Sequence, residues 1–273
     1  MLGARAIDEL LERHGLGARR SLGQNFVADP QMIGRIVTLA RVGVGDHVIE
    51  VGPGLGSLTA GLAATGAEVV ALEKDGSLLP ALAEVLGTSP SERVRVVEGD
   101  ALTVDWSRLL AGHDDWVLVA NLPYNVAVPI VLTVLATAPM VRRGLVMVQR
   151  EVAERLVAGP GGRTVGIPSI KVAWYASARL VATVPPEVFV PRPRVTSALV
   201  ELERRPPPRD DVAARDVFEL VDRAYRQRRK MLRSTLGDRV AAAAFERAGV
   251  DPTARPEELD VARWAALAGA AAE

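Results

Sequence analysis

The chain has 273 residues, of which 49% are hydrophobic, and its 33 basic and 33 acidic side chains give a formal net charge of zero. This length suits one α/β domain of roughly 200 residues with a small appendage, and the apolar content excludes an intrinsically disordered chain. The lack of cysteine excludes disulfides, thiolate nucleophiles and cysteine-ligated metals. The histidines His14, His47 and His113 lack metal-ligand spacing, so we interpret them as structural or surface residues and predict no metal site. The sequence shows neither a signal peptide nor an apolar run that could span a bilayer, which predicts a soluble, cytoplasmic protein without a membrane partner.

In chain order, a helix at residues 4–14 and a basic loop at 18–26 precede an alternation of valine-rich apolar runs with helix-like segments. The runs predict buried strands at His47–Val51, Val69–Glu73, Val94–Glu98, Trp116–Ala120 and Leu145–Val148. The segments between them predict crossover helices at Gly56–Thr65, Leu78–Leu86 and Val126–Ala136. This alternation indicates an α/β fold of the Rossmann-like type, with a mostly parallel, doubly wound sheet.

Two later runs, Ala176–Val184 and Thr196–Glu203, predict an antiparallel pair of strands at the edge of the sheet. The segment between them, residues 185–194, is so rich in proline that we expect a rigid loop without regular structure. Residues 205–211 have the composition of a linker, and helical periodicity follows to the end of the chain. We therefore predict a first domain at 1–204 and a small α-helical domain at 205–273.

The predicted helical domain carries a basic segment with seven basic residues and one acid between Arg223 and Arg239. If residues 215–236 form one helix, the spacing i, i+3, i+4, i+7 places four of the basic residues on one face. These four are Arg226, Arg229, Lys230 and Arg233. Charges of one sign favour an RNA-binding face over the alternative, a solvated helix face, because solvated helices usually mix the two signs.

A glycine-rich turn, EVGPGLG at residues 50–56, joins a predicted strand to a predicted helix. Glycines at this position let the backbone approach a ligand closely, with a helix amino terminus behind it. The pattern GxGxG at Gly52, Gly54 and Gly56 differs from the dinucleotide-binding GxGxxG, and with a preceding acid it is typical of enzymes that use S-adenosylmethionine. A plain glycine turn is the alternative.

Two acids follow at the ends of the next strands. Glu73 ends the second strand, where doubly wound folds place a carboxylate against ribose hydroxyls. Asp100, before Ala101 in the sequence EGDAL, ends the third strand, where it could hold an adenine amino group. A solvated loop acid is the alternative for Glu73, and a helix N-cap is the alternative for Asp100.

The segment Asn121-Leu122-Pro123-Tyr124-Asn125 ends the fourth strand and carries the most specific signal. An aromatic amino group is a poor nucleophile because its lone pair is delocalised into the ring. The Asn121 amide oxygen and the Leu122 carbonyl, which Pro123 orients, could accept its two N–H bonds and favour a pyramidal nitrogen. Tyr124 offers a ring on which a flipped base could stack. This pattern predicts methyl transfer to an adenine amino group.

With these motifs in place, the chain resembles the KsgA/RsmA family of small-subunit rRNA adenine N6,N6-dimethyltransferases over nearly its whole length. The motifs that carry the resemblance, in order, are RRSLGQNF (19–26), EVGPGLGSLT (50–59), GDAL (99–102), NLPYN (121–125), VQREVAERL (149–157), PPEVFVPRPRVTSALV (185–200) and QRRKMLRSTL (227–236). The resemblance implies a class I methyltransferase that acts, as a monomer, on immature 30S-like particles. The implied cofactor is S-adenosylmethionine, with S-adenosylhomocysteine as product.

The resemblance also implies roles for individual residues. Those implied to contact the cofactor are Asn25, Val27, Gly52, Gly54, Glu73, Asp100, Ala101 and Asn121. Phe189 matches an aromatic that would sandwich the target base against Tyr124. This chain departs from the family pattern at Val165–Ser169, which removes an expected arginine, and at Val190 and Arg192 on the rim of the base pocket.

Other functions remain open on the residues alone. Large-subunit rRNA adenine methyltransferases of the macrolide-resistance type have a similar core, although the leucine of NLPY and the QRRKMLR segment favour the small-subunit group. DNA adenine or glutamine-amide methyltransferases commonly carry Asn-Pro-Pro-Tyr and further recognition elements. A ribosome-assembly factor with lost or secondary catalysis is a different class, against which the intact Asn121, Tyr124, Glu73 and Asp100 argue.

Overall fold

A seven-stranded β-sheet is the main element of the computed structural model, which describes residues 1–17, 23–87 and 93–272. In chain order, the strands are β1 (Phe26–Val27), β2 (His47–Val51), β3 (Glu68–Glu73), β4 (Val94–Glu98), β5 (Trp116–Asn121), β6 (Val141–Gln149), β7 (Ala176–Val184), β8 (Phe189–Val190) and β9 (Ser197–Arg204). The order across the sheet is β4-β3-β2-β5-β6-β9-β7, while β1 pairs with β8. The pairs among β2 to β6 are parallel, and β9 runs antiparallel to β6. The predicted fold class is confirmed.

The strand order places a topological switch between β2 and β5. From β2 the chain builds outward through β3 and β4, and then returns to add β5 and β6 on the other side. In open α/β sheets of this kind, ligands bind in the crevice outside the carboxyl ends of the strands at the switch point. The register aligns the three central strands, since His47 at the start of β2 lies opposite both Glu68 of β3 and Trp116 of β5. Strands that start level also end close together, so their carboxyl ends form one side of the sheet.

Strand β4 differs from the predicted buried strand. It is the outermost strand beside β3, and its residues Arg95 and Val96 are exposed. An edge strand has a neighbour on one side only, so an apolar run there need not be covered on both faces.

The helices in chain order are α1 (Ala4–Arg13), α2 (Pro30–Ala40), α3 (Ser57–Ala63), α4 (Leu79–Leu86), α5 (Trp106–Leu109), α6 (Ala127–Thr137), α7 (Arg150–Leu156), α8 (Ile167–Tyr175), α9 (Ala214–Tyr225), α10 (Leu232–Leu236), α11 (Ala242–Arg247) and α12 (Val261–Ala272). Helix α2 was not predicted, yet its start is regular: the Asp29 carboxylate accepts the Gln31 N–H at 2.8 Å, and Pro30 occupies the first turn. Across the described ranges, no helix is both long and apolar enough to cross a membrane.

Helices α2 and α3 cover the sheet through one apolar core. Its fully buried members include Ile33 of α2, Leu62 of α3 and Val48 of β2. A second cluster joins Ile7 of α1 to Phe26 of β1 and to Leu55 in the glycine-rich turn. The first helix of the chain therefore supports the loops that surround the carboxyl edge of the sheet.

The segment 185–194, predicted to lack regular structure, contains a short 3₁₀ turn at Pro186–Val188 and strand β8. Strand β8 pairs antiparallel with β1, with Phe189 opposite Val27 and Val190 opposite Phe26. The prolines do not prevent this pairing because both paired residues precede Pro191, and only Pro lacks the N–H that a ladder needs.

The chain divides into two compact units, Met1–Ala153 with Arg179–Glu203, and Glu154–Ala178 with Arg204–Glu273. The division differs from the predicted boundary after residue 204, because residues 154–178 belong to the second unit. The reason lies in α8, where Ile170 and Trp174 share an apolar core with Val217 of α9 and Trp264 of α12. The sequence pattern of α8 does not show which core its apolar residues join.

The predicted single helix over 215–236 is wrong. Helix α9 ends at Tyr225, residues 226–230 form turns, and α10 begins at Leu232. The Leu232 N–H donates to the Ala254 carbonyl at 2.9 Å, and the Leu232 side chain is fully buried. The Leu232 N–H thus bonds outside the helix instead of to a carbonyl four residues earlier, and the four basic residues do not share one helix face.

Candidate active site

A cavity lies at the carboxyl ends of β2, β3 and β5, as the strand order predicts. It is lined by ten of the residues predicted from the sequence: Asn25, Val27, Gly52, Gly54, Glu73, Asp100, Ala101, Asn121, Leu122 and Tyr124. These residues come from positions 25 to 124 and meet because parallel strands end at one edge. The fold therefore brings the predicted cofactor-binding set and most of the predicted catalytic set into one site.

The glycine-rich turn forms one wall of this cavity. Gly54 has a φ of 58°, and a Cβ placed on it would lie 2.9 Å from the ring of Phe26. Both facts require glycine there, since other residues rarely adopt that conformation and real Cβ atoms do not approach so closely. At Gly52, a Cβ would lie 3.8 Å from Pro123 Cδ, so the turn runs beside the 121–125 segment.

Glu73 holds the glycine turn in place from the end of β3. Its Oε2 accepts the Gly54 N–H at 2.9 Å, and its Oε1 accepts the Asp75 N–H at 2.8 Å. Burial raises the pKa of the Glu73 carboxyl, and the hydrogen bonds from Asp75 and Gly54 oppose that rise. Each carboxylate oxygen has a second lone pair, so these bonds leave acceptor capacity for ligand hydroxyls.

Asp100 is held by a lysine that the sequence analysis did not single out. Its Oδ2 lies 2.8 Å from Lys74 Nζ, and its Oδ1 accepts the Leu102 N–H at 2.9 Å. The hydrogen bond from Lys74, followed by that from Leu102, lowers the pKa of Asp100. The carboxylate is therefore ionised at neutral pH, in a state that can accept a hydrogen bond from an amino group.

Asn121, the last residue of β5, is oriented by a hydrogen bond from its own amide. Its Nδ2 donates to the backbone carbonyl of Asn25 at 2.9 Å. This bond uses the donor end of the amide, which leaves Oδ1 as the acceptor available to a ligand. Leu122 is 1% exposed and lines the cavity, and its N–H donates to the Met147 carbonyl at 3.0 Å. A ligand would therefore meet its backbone carbonyl rather than its N–H.

The Tyr124 ring is fixed by a residue on β9. The Tyr124 hydroxyl and Ser197 Oγ are 2.6 Å apart, and Ser197 is fully buried. Burial raises the pKa of the Tyr124 hydroxyl, so it stays protonated. Ser197 lies in the same motif as Phe189, PPEVFVPRPRVTSALV (185–200), and no role was predicted for it.

Phe189 does not line this cavity. Its side chain is only 2% exposed and belongs to the core cluster that also contains Met32 and Ile33. The pairing of β8 with β1 turns the ring into that core. Phe189 is therefore not among the residues that line this cavity, and its sandwich of a base against Tyr124 stays a prediction.

In the second unit, the basic residues of the 223–239 segment fall into two groups. Three arginines are paired with acids: Arg223 with Asp238, Arg228 with Glu257 and Arg239 with Glu219. By contrast, three exposed residues form no ion pair within the described ranges. These are Arg226, Arg229 and Lys230. Arg233 is also exposed and acts electrostatically on Asp251.

The whole arrangement has a counterpart among known proteins. Residues 15–273 match the family described as "Ribosomal RNA adenine dimethylase". The chain belongs to this family. It is thus an rRNA adenine dimethylase, an enzyme of a family that depends on S-adenosylmethionine, and the resemblance drawn from the sequence is confirmed.

Curated relatives of this dimethylase are similar over nearly their full length. Ribosomal RNA small subunit methyltransferase A of Cutibacterium acnes is 48% identical over 286 residues, which cover 100% of this chain and 95% of the relative. The protein of the same name from Kineococcus radiotolerans is 49% identical over 276 residues, covering 98% and 91% of the two chains.

Solved structures share the fold at lower identity. The 23S rRNA methyltransferase ErmE is 25% identical with a TM-score of 0.68, and the match covers 91% of this chain and 100% of that one. A dimethyladenosine transferase from Plasmodium falciparum is 21% identical with a TM-score of 0.73, covering 88% and 94%. At 21% identity, the similarity to the Plasmodium falciparum structure shows a shared fold only.

One residue of the dimethylase cavity, the acid before the glycines, was part of the predicted motif but was given no role of its own. Glu50 at the end of β2 is 1% exposed, and its Oε2 has no hydrogen-bond partner among the described residues. Burial raises the pKa of Glu50 to about 8, and the negative charge of Glu73 adds to the rise. At neutral pH, Glu50 is therefore mostly a neutral carboxylic acid. The sequence signal for this residue was an acid just before the glycines, since an acidic side chain is unusual in a buried strand.

This raised pKa predicts how stability depends on pH. The folded chain keeps the Glu50 proton up to about pH 8, whereas the unfolded chain loses it near its ordinary value of 4.5. Between these values the folded state binds more protons, so Glu50 makes stability fall as pH rises. Glu50→Gln cannot ionise, and we expect its melting temperature to fall less over this range and to exceed the wild-type value at the upper end. Thermal melts of both proteins across the range measure this, and parallel curves would contradict it.

Proposed function

We propose that this enzyme transfers methyl groups from S-adenosylmethionine to N6 of adjacent adenines near the 3′ end of small-subunit rRNA. The products are dimethyladenosines, formed on immature 30S-like particles in the cytoplasm by the monomeric enzyme. The observation that carries this proposal is the Asn121 amide, which the Asn25 carbonyl holds by its nitrogen so that its oxygen is the end left for a substrate amino group.

The residues of the cavity fit S-adenosylmethionine. The glycine turn forms a cradle that a Cβ at Gly54 would close, and Glu73 and Asp100 offer acceptors for ribose hydroxyls and an adenine amino group. Glu50 presents a buried carboxyl whose Oε2 has no hydrogen-bond partner within the described part of the chain, and a cationic ligand would favour its ionised form. The bound cofactor supplies an activated methyl group, so the protein's own task is positioning and desolvation.

The 121–124 segment acts on the target base. An adenine must leave its stack to enter such a cavity, and Tyr124 gives it a ring whose orientation Ser197 fixes. The Asn121 Oδ1 and the Leu122 carbonyl accept the two N–H bonds of the amino group, which directs its lone pair toward the methyl carbon. S-adenosylmethionine, when bound, would supply the methyl group as an activated sulfonium. The protein's own part would be to hold the amino nitrogen in line for it, and the methylated nitrogen would lose one proton to water.

The small subunit is favoured over the large subunit as substrate by the comparison of relatives. Identity is 48% to the small-subunit enzyme of Cutibacterium acnes and 25% to the 23S rRNA methyltransferase ErmE. A direct test offers labelled S-adenosylmethionine with immature small subunits, large subunits or DNA, followed by nucleoside analysis. We expect N6,N6-dimethyladenosine in small-subunit rRNA. Labelling of large subunits or DNA in its place would overturn the proposal.

Binding to rRNA is assigned to the unpaired cations of the second unit, Arg226, Arg229 and Lys230, with Arg233 beside them. Arginines that already neutralise an acid, such as Arg239 with Glu219, have less charge to offer a phosphate. Release of counterions from the RNA makes each phosphate contact visible in the salt dependence of binding.

The Arg226→Gln, Arg229→Gln double variant tests this assignment. We expect weaker binding to immature small subunits and a log–log salt slope reduced by about 0.7–0.9 per lost contact. Affinity for S-adenosylhomocysteine should not change. The matched control is Arg239→Gln, which should keep the wild-type slope because its guanidinium already pairs with Glu219. A wild-type slope in a folded double variant would move the RNA contact elsewhere, for example to Arg192 and Arg194.

A further inference from the structure

Two of the three histidines meet at the amino-terminal ends of the central strands, on the side of the sheet opposite the cavity. His47 begins β2, and His113 lies in the turn before β5. Their imidazole rings stack with centroids 3.4 Å apart and planes inclined by 22°. The strand register explains the meeting, since His47 lies directly opposite Trp116, three residues after His113.

Two carboxylates flank the His47 ring, one near each nitrogen. Glu68, which begins β3 and lies opposite His47 in the register, places Oε2 at 3.8 Å from Nε2. Asp115 places Oδ1 at 3.6 Å from Nδ1. The His47 side chain is 14% exposed, and its buried Nδ1 has no hydrogen-bond partner among the described residues.

We propose that His47, His113 and Glu68 bind a divalent transition-metal ion, with Zn²⁺ the ion that best matches the ligand set. One donor atom from each residue lies within 4.8 Å of the other two. Bonds of about 2.0–2.1 Å in a tetrahedral site need donors about 3.3 Å apart, so the donors must close by about 1.5 Å at most. Because imidazole lone pairs lie in the ring plane, the exposed His113 ring must also rotate out of its stack with His47. Side-chain rotations of the exposed His113 and Glu68 supply both movements.

Imidazole and carboxylate ligands suit Zn²⁺ and its neighbours, whereas Mg²⁺ and Ca²⁺ favour oxygen ligands alone. Asp115 completes the arrangement without needing to bind the metal. A metal-ligating histidine usually donates its other ring N–H to a carboxylate, which fixes the tautomer and the ring. With Nε2 of His47 facing Glu68, Nδ1 faces Asp115 at 3.6 Å, and a small movement of the exposed Asp115 side chain on metal binding would bring the two within hydrogen-bond distance.

The site joins the beginnings of β2 and β3 to the turn that leads into β5. Each ligand belongs to a different segment, so a bound ion ties together three points of the edge opposite the cavity. Since the unfolded chain does not preform the site, metal binding stabilises the folded state. The role is structural, and methyl transfer needs no metal.

The composition of the chain allows a sharp test. The sequence has no cysteine and three histidines, so high-affinity Zn²⁺ binding near neutral pH must use histidine. The variant is His113→Ala, which removes an exposed ligand with little risk to the fold. The matched control is His14→Gln, since His14 lies on α1's carboxyl-terminal side and contacts Glu84 at 2.7 Å instead of the proposed site. All proteins are full-length and carry no histidine tag.

Equilibrium dialysis with Zn²⁺ should give one ion per chain for the wild type and for His14→Gln. His113→Ala should bind about 100-fold more weakly, because even outer partners of a metal ligand contribute 10–100-fold. Co²⁺, used as a spectroscopic probe, should give a visible ligand-field spectrum that disappears in His113→Ala. Added Zn²⁺ should raise the melting temperature of the wild type and the control only.

Two results would overturn the proposal. One is the absence of specific Zn²⁺ binding by the wild type, in which case the two rings merely stack beside Trp116. The other is binding that survives His113→Ala or is lost in His14→Gln, which would place the ion elsewhere. Glu68→Gln adds a graded measurement, since it keeps the side-chain size but removes the anionic ligand, and it should weaken binding without changing folding.

Discussion

Replacing Asn121 with alanine should lower the single-turnover rate of methyl transfer by roughly 100- to 1000-fold, the range found when one positioned polar group is removed from an active site. The amide oxygen is the acceptor that favours a pyramidal adenine nitrogen, and alanine has none. The variant also loses the bond from Nδ2 to the Asn25 carbonyl. Such a hydrogen bond contributes about 1 kcal/mol of net free energy, so affinity for S-adenosylhomocysteine should fall only severalfold.

The matched control for this experiment is Asn125→Ala, an exposed asparagine of the same loop that also lines the cavity but has no part in the proposed mechanism. It should keep most of the wild-type rate. Single-turnover kinetics with saturating cofactor separate the chemical step from binding, and calorimetric titration measures the cofactor affinity. A near-normal rate in Asn121→Ala would remove the amide from the mechanism.

Replacing Phe189 with alanine should destabilise the fold by about 3–5 kcal/mol, the usual cost of removing a phenylalanine from a packed core. The reason is that Phe189 is only 2% exposed and lies in the core cluster that contains Met32 and Ile33. Phe189→Leu, which keeps most of the volume, should recover much of this loss. Urea denaturation followed by near-ultraviolet circular dichroism measures the change.

Tyr124→Ala should behave differently from Phe189→Ala, because Tyr124 is half-buried in the cavity wall. We expect weaker binding of the flipped base by about 1–3 kcal/mol and a smaller loss of stability. The opposite pattern would restore the sandwich predicted from the sequence. In that case Phe189→Ala would be as stable as the wild type and would still fail to methylate.

The sequence was sufficient to predict the sheet and the cavity because both depend on local patterns. Apart from the edge strand β4, the valine-rich runs are buried strands in this fold, and a parallel sheet brings their carboxyl ends together wherever the intervening helices go. Gly54, Glu73 and Asn121 could therefore be assigned to one site, although Gly54 and Asn121 lie 67 positions apart in the chain.

Features decided by tertiary contacts could not be predicted in this way. Beyond the end of α9 at Tyr225, the Leu232 N–H bonds to the distant Ala254 carbonyl, and Phe189 is placed by the pairing of β8 with β1. The meeting of His47 and His113 was also missed. Its signal was present in the predicted strand starts at 47 and 116, since neighbouring parallel strands bring their first residues together as they do their last.

The second compact unit is built from two separate stretches of chain, Glu154–Ala178 and Arg204–Glu273. During synthesis, the first stretch leaves the ribosome well before the second. Ile170 and Trp174 then remain exposed to solvent until α9 and α12 have been made, because their core partners lie there. A transplant of this unit into another protein accordingly requires two junctions, and a fragment that starts at residue 205 lacks part of its own interior.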